Sequence, residues 1–155
     1  MQQLNIGKEK ALDKIVNYCS YQERSHTEVR EKLFSFGLYK EQVEELITYL
    51  IGENYLNEER YAIAFAGGKF RMKGWGRIKI KYALKQHKIS EFCIKKAIAN
   101  IDEDEYLEKL KKLFSEKISQ LSKEKNLFVR NKKLMGYLLQ KGYEASLIND
   151  LLKEI

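Results

Sequence analysis

Apolar residues recur along this chain at spacings of three and four, and no Pro interrupts them, which predicts helices throughout rather than alternating strands. The spacing predicts a first helix carrying Ile15, Val16 and Cys19, a second carrying Val29, Leu33 and Phe36, and a third carrying Val43, Leu46, Ile47, Leu50 and Ile51. Ser25 followed three residues later by Glu28 has the form of a capping box, so the second helix should begin just after Ser25, and Gly37 can end it. The same order returns after Asn57. Tyr61, Phe65 and Phe70 mark a fourth helix, Ile78, Tyr82 and Leu84 a fifth, and Ile94, Ala97, Ile98 and Ile101 a sixth, with Ser90 its expected cap.

The recurrence is a repeat. Leu33, Leu38, Val43 and Ile47 return fifty-one positions later as Leu84, Ile89, Ile94 and Ile98. Leu138, Tyr143, Ile148 and Leu152 follow fifty-four positions beyond those, behind a longer helix containing Leu107, Leu110, Phe114, Ile118 and Leu121. Three helices per period predict an all-α fold, an elongated array of three tandem three-helix repeats. Their expected bounds are residues 8–56 (unit 1), 57–101 (unit 2) and 102–155 (unit 3). Each unit is too small for a comfortable solitary core, so adjacent units should stabilise one another.

Charge adds a direction to this plan. The chain holds 29 Lys and Arg against 22 Asp and Glu, a formal net charge of +7. Nine of the basic residues fall between Arg60 and Lys88, a stretch without Asp or Glu, whereas Leu38 to Glu59 leans acidic. Such polarisation predicts an electropositive face for nucleic acid or an acidic protein surface. The preferred contact set is Lys69, Arg71, Lys73, Arg77, Lys79, Lys81, Lys85 and Lys88. Arg71 and Arg77 lead it, because a guanidinium fork makes paired contacts that an ammonium cannot. The bland alternative is a solvated helix face. Trp75 also has two readings: it stacks on a base or anchors an interface, or it closes the junction between helices with Gly74 and Gly76 accommodating its ring. Arg60 with Glu58 and Glu59 is read as a local ion-pair group at the start of unit 2.

Several chemistries are set aside. Cys19, Cys93, His26 and His87 lack metal-site spacing, and Asp102, Glu103, Asp104 and Glu108 read as a helix boundary rather than a metal cage, so neither metal nor cofactor is expected. The segment around Gly74 and Gly76 lacks the Lys-Ser/Thr ending and strand setting of a nucleotide-binding loop. No nucleophile–base–acid set is implied, so no enzyme is expected. No apolar run approaches the roughly 18 residues of a membrane span, and a cytoplasmic monomer is the default expectation.

Residues 52–62, Gly-Glu-Asn-Tyr-Leu-Asn-Glu-Glu-Arg-Tyr-Ala, followed by Phe70-Arg71, by Lys73-Gly74-Trp75-Gly76-Arg77-Ile78 and by the run from Tyr82 to Ile89, resemble the RecX family of recombinase regulators. The resemblance is strongest from about Ser25 to Ile101. It implies an all-helical protein of three three-helix units that associates with the bacterial RecA filament and mainly inhibits its assembly, strand exchange, ATP hydrolysis and assisted repressor cleavage, with DNA binding in some members. Two departures stand out. Asn57-Glu58-Glu59 replaces a common Asp pair, and Lys88 stands where Gly is common, which allows a different local backbone or turn register. The alternative from another class is a sequence-nonspecific DNA-binding or architectural protein, favoured by net charge alone.

Overall fold

The computed structural model describes residues 4–155 and is all-helical. Unit 1 comprises α1 (Lys8–Tyr21), α2 (His26–Ser35) and α3 (Lys40–Gly52). Unit 2 comprises α4 (Glu58–Lys73), α5 (Arg77–Gln86) and α6 (Glu91–Ala99), and unit 3 comprises α7 (Glu103–Gln120), α8 (Leu127–Lys141) and α9 (Ala145–Lys153). The strongest helix pairings lie within units, such as α2 with α3, α4 with α6, and α7 with α8.

Local chemistry sets the helix starts. The Ser25 hydroxyl accepts from Glu28 N–H at 3.1 Å while the Glu28 carboxylate accepts from Ser25 N–H at 3.0 Å, so the capping box forms. Asn57, Ser90, Asp102 and Asn126 likewise satisfy orphan N–H groups at the starts of α4, α6, α7 and α8.

The three units do not have three cores. Unit 1 closes on its own cluster, built on Ala11, Ile15, Val29, Leu33, Val43 and Leu50. Units 2 and 3 bury one continuous cluster, in which Phe70, Ile80 and Leu84 join Tyr106, Leu110, Leu134 and Tyr143. For units 2 and 3 a shared core adds the apolar area hidden between them to what each hides alone, whereas unit 1, though equally small, does not share its buried cluster.

Repeat-equivalent positions agree down to the backbone. After the middle helix of each unit the chain turns through a left-handed residue: Gly37 (φ 80°), Lys88 (φ 60°) and Gly142 (φ 100°). The residue that follows, Leu38, Ile89 or Tyr143, is buried. Lys88 therefore does not alter the turn register. It adopts the conformation a glycine would, at the steric cost of its Cβ.

Two expectations are corrected. On α5 the core is reached by Ile80 and Leu84, whereas Ile78 and Tyr82 face outward at 52% and 66% exposure. The apolar residues of this short helix outnumber what its buried stripe can hold, so periodicity alone did not set its phase. Arg60 pairs with Glu23 of unit 1 at 2.5 Å and donates to the Asn54 carbonyl at 3.0 Å, tying the inter-unit loop to both units, while Glu58 accepts from Ser90 N–H at 2.9 Å.

Candidate functional site

The basic stretch runs from the last turns of α4 through Gly74-Trp75-Gly76 into α5, and unit 3 pins this joint. Gly76 N–H donates to the Lys141 carbonyl at 2.8 Å, and Ile78 N–H to the Gly142 carbonyl at 3.0 Å. From the other side, the Tyr143 hydroxyl donates to the Gly74 carbonyl at 3.0 Å, and Lys141 Nζ to the Lys73 carbonyl at 3.0 Å. A Cβ on Gly76 would lie 2.5 Å from Tyr143 N and closer still to the Gly142 carbonyl, so only glycine lets the two backbones meet. Burial raises the Tyr143 hydroxyl above its ordinary pKa and keeps it a donor.

Arg77 belongs to this joint rather than to an open surface. Its guanidinium lies 3.8 Å from the centre of the Tyr106 ring, donates to Glu144 at 2.7 Å and pairs with Glu103. Its own N–H donates to the Tyr106 hydroxyl at 3.0 Å, and that hydroxyl in turn donates to Glu144. Burial alone would lower the Arg77 pKa, but the hydrogen bond to Glu144 and the surrounding negative charge hold it above its usual value. Burial, then the bond to Glu144, raises Tyr106 as well. The side chain of Arg77 is only 17% exposed, and two carboxylates already occupy it. Chosen from the sequence as a leading contact, it is a tie between units 2 and 3.

Trp75 divides the two expectations made for it. Half-buried, it packs on the shared core, yet Lys69 and Lys79 approach its ring at 5.0 and 4.6 Å. Arg71 is exposed and folds back over Gly67, beside a groove where Lys109 and Lys112 alternate with Glu105 and Glu108. Lys73, Lys81, Lys85 and Lys88 are exposed, and Lys85 makes only a loose pair with Glu91 at 3.5 Å.

Position on α5 organises the rest. Ile78, Lys81, Tyr82 and Lys85 follow the i, i+3, i+4, i+7 pattern and form one outward face. Charge counting missed Ile78 and Tyr82, which looked like core, and Lys141, which unit 3 contributes from far along the chain. Lys141 joins Lys79, Tyr137 and Gln140 around a shallow depression beside the joint.

Other candidates are quieter. The Tyr61 hydroxyl and His87 Nδ1 share a hydrogen bond of 2.7 Å in the cleft between units 1 and 2. Cys19 and Cys93 are buried, and desolvation raises the Cys19 thiol, which disfavours a reactive thiolate. Among the described residues no three His, Cys, Asp or Glu side chains converge on a metal-sized space, and no helix is long and apolar enough to cross a membrane.

Comparison with known proteins follows the same helices. The family model for the second three-helix domain of RecX matches residues 57–98, and that for the third matches residues 103–152. The chain is 32% identical over 152 residues to Regulatory protein RecX of Thermotoga maritima, covering 97% of this chain and 88% of that protein. It is also 32% identical over 133 residues to Regulatory protein RecX of Clostridium perfringens strain 13, covering 85% of this chain but only 62% of the relative. The crystal structure of RecX from Lactobacillus salivarius superimposes with a TM-score of 0.85 at 24% identity, covering 95% of both chains, a likeness of fold.

Proposed function

The chain belongs to the RecX family of regulatory proteins, and on that premise we propose that it binds the RecA recombinase filament and restrains it: its assembly, strand exchange, ATP hydrolysis and assisted repressor cleavage. Binding energy, not turnover, carries the effect, and the cytoplasm, where such a filament forms, is the place of action.

The outward face of α5 is the observation that carries this reading. Bare phosphates call for cations, but Ile78 and Tyr82 alternate with Lys81 and Lys85 there, and apolar side chains gain from a protein surface that covers them. An acidic, partly apolar filament groove meets both needs. In this reading Lys69, Arg71, Lys73, Lys79 and Lys88 broaden the electropositive field, while Arg77, bound to Glu144 of unit 3, and Trp75, packed on the core that units 2 and 3 share, hold the start of α5 so that its face is presented rigidly.

Anisotropy of labelled single-stranded DNA carrying RecA, titrated with this protein at two salt concentrations beside recombinase-free DNA, tests the proposal. Filament-dependent binding with arrested growth or faster loss is expected, and an Ile78→Ser/Tyr82→Ser double variant should weaken it. Equal binding to naked DNA without any filament effect overturns the reading. A log-log salt slope near five on mixed-sequence duplex, as about six phosphate contacts would produce, would instead indicate a general DNA-binding protein.

A further inference from the structure

Among the described residues, units 1 and 2 meet without a common apolar core. The unit 1 cluster ends at Leu56 and the next cluster begins at Tyr61, so the chain leaves one core and enters the other within a single turn of helix. On the unit 1 side, Tyr55 and Leu56 N–H both donate to the Leu50 carbonyl, which binds the loop to α3. On the unit 2 side, α4 starts at Glu58. Asn57 is left between the two bodies, in extended backbone (φ −144°, ψ 112°).

Beside Asn57 the units face one another across an open cleft of about 390 Å³ rather than a packed contact. Gln22, Glu23 and Glu28 line it from unit 1, and Ala64, Phe65 and Lys69 from unit 2. Glu28 also faces the Tyr61 hydroxyl, whose 2.7 Å bond is to His87 of its own unit. Arg60 spans the gap. From the first turn of α4 its Nε donates to Glu23 at 2.5 Å, and an Nη donates to the Asn54 carbonyl at 3.0 Å with the Tyr55 carbonyl at 3.4 Å. All three acceptors belong to unit 1, and Asn54 presents its carbonyl from a left-handed turn (φ 62°). Bodies joined by a short polar contact turn relative to one another, whereas a large apolar interface, such as that between units 2 and 3, holds its partners fixed.

We infer that unit 1 is a hinged arm that pivots at Asn57 and is held closed by Arg60, a clasp on Glu23 and the Asn54 carbonyl. A partner that offers Arg60 another carboxylate, or Glu23 another cation, opens the clasp and changes the angle between unit 1 and the basic middle unit. Unit 3 keeps its place on unit 2 throughout. The inference rests on the joint alone and stands whether or not the chain binds a recombinase.

Spin labels on Lys10→Cys in α1 and Lys95→Cys in α6, both exposed positions, report the angle as a distance distribution in the full chain. The parent chain, whose Cys19 and Cys93 are buried, is the labelling control. A single narrow distance is expected with Arg60 intact. Arg60→Met keeps the aliphatic stem and should raise a second, broader population about tenfold, the share of one charge-assisted contact. Glu23→Gln should raise the same population about threefold, as loss of a part-exposed ion pair does. Amide exchange in the unit 1 core, at Ile15 and Leu33, should stay slow in both variants, since a hinge moves a folded body. Unchanged distributions in both variants overturn the clasp, as does a distribution already broad with Arg60 intact. Broadening accompanied by fast exchange at Ile15 and Leu33 overturns the hinge, because unit 1 is then unfolding rather than turning.

Discussion

Units 1 and 2 follow the same helix order but start their middle helices in opposite ways. Ser25 caps α2 with its side chain, and its unit closes on a private core. At the equivalent place, fifty-one residues on, Gly76 precedes α5 without a side-chain cap, and its N–H is satisfied by the Lys141 carbonyl of unit 3. Unit 2 forgoes a local cap of about 1 kcal/mol and gains contact with a neighbour close enough to share a core. A repeat can thus keep its pattern of buried positions while exchanging a local interaction for a long-range one. The exchange is also what fixes the orientation of the basic middle unit.

Gly76→Ser gives unit 2 the capping residue of unit 1 and carries the largest expected effect. Although Ser is a good cap, its Cβ would collide with Gly142 and Tyr143, so a loss of about 3 kcal/mol is expected. Amide hydrogen exchange should quicken through units 2 and 3 and leave the α1–α3 core protected. If Gly76→Ser stabilises the protein, the close approach is not what holds the joint.

Tyr106→Phe should cost about 2 kcal/mol in chemical denaturation, since it strips an acceptor from Arg77 N–H and a donor from Glu144 while keeping the ring. Its pH dependence has a definite sign. The Tyr106 and Tyr143 hydroxyls titrate above 10.0 in the folded protein, so the stability they contribute is full below pH 10 and is lost as the pH climbs past it and the unfolded chain ionises. Tyr106→Phe should flatten that alkaline fall, and an unchanged slope would show that the hydroxyl is not held neutral by the fold.

Ser25→Ala is the mirror of the first experiment, with an expected loss of about 1 kcal/mol, read as faster exchange confined to α2 and its neighbours. Uniform acceleration across all three units would mean that unit 1 does not have a core of its own. The smallest effect expected is a gain. Lys88→Gly restores at φ 60° the residue that Gly37 and Gly142 supply in the other units, and melting should rise by about 3 °C for roughly 1 kcal/mol.

Much of the fold was legible in the order of residues alone. Leu33, Leu84 and Leu138 identify one buried position of the repeat, and Leu38, Ile89 and Tyr143 another, because helix periodicity is written in the nearest turns of the chain. Capping by Ser25 and Ser90 was legible for the same reason, since a cap and the N–H it satisfies lie three residues apart. The candidate surface was legible only as a list of charges. Arg77 and Lys81 look equivalent in a row of basic residues, yet one is held by Glu144 from sixty-seven residues away and the other is free to meet a partner.

Local pattern and repetition were enough to establish the helices, their grouping in threes, the family to which the chain belongs and three of the four repeat positions that every unit buries, the fourth being buried as Ile47 but only partly so as Ile98 and Leu152. All of these are stated by interactions within a few residues or by patterns that repeat along the chain. Packing between distant segments set the rest: units 2 and 3 share a core while unit 1 does not, α5 turns Ile78 and Tyr82 outward, and Arg77 is already neutralised. Those outcomes depend on which surfaces meet when distant segments pack, and an ion pair or a glycine contact across two units leaves no periodic trace in either segment alone.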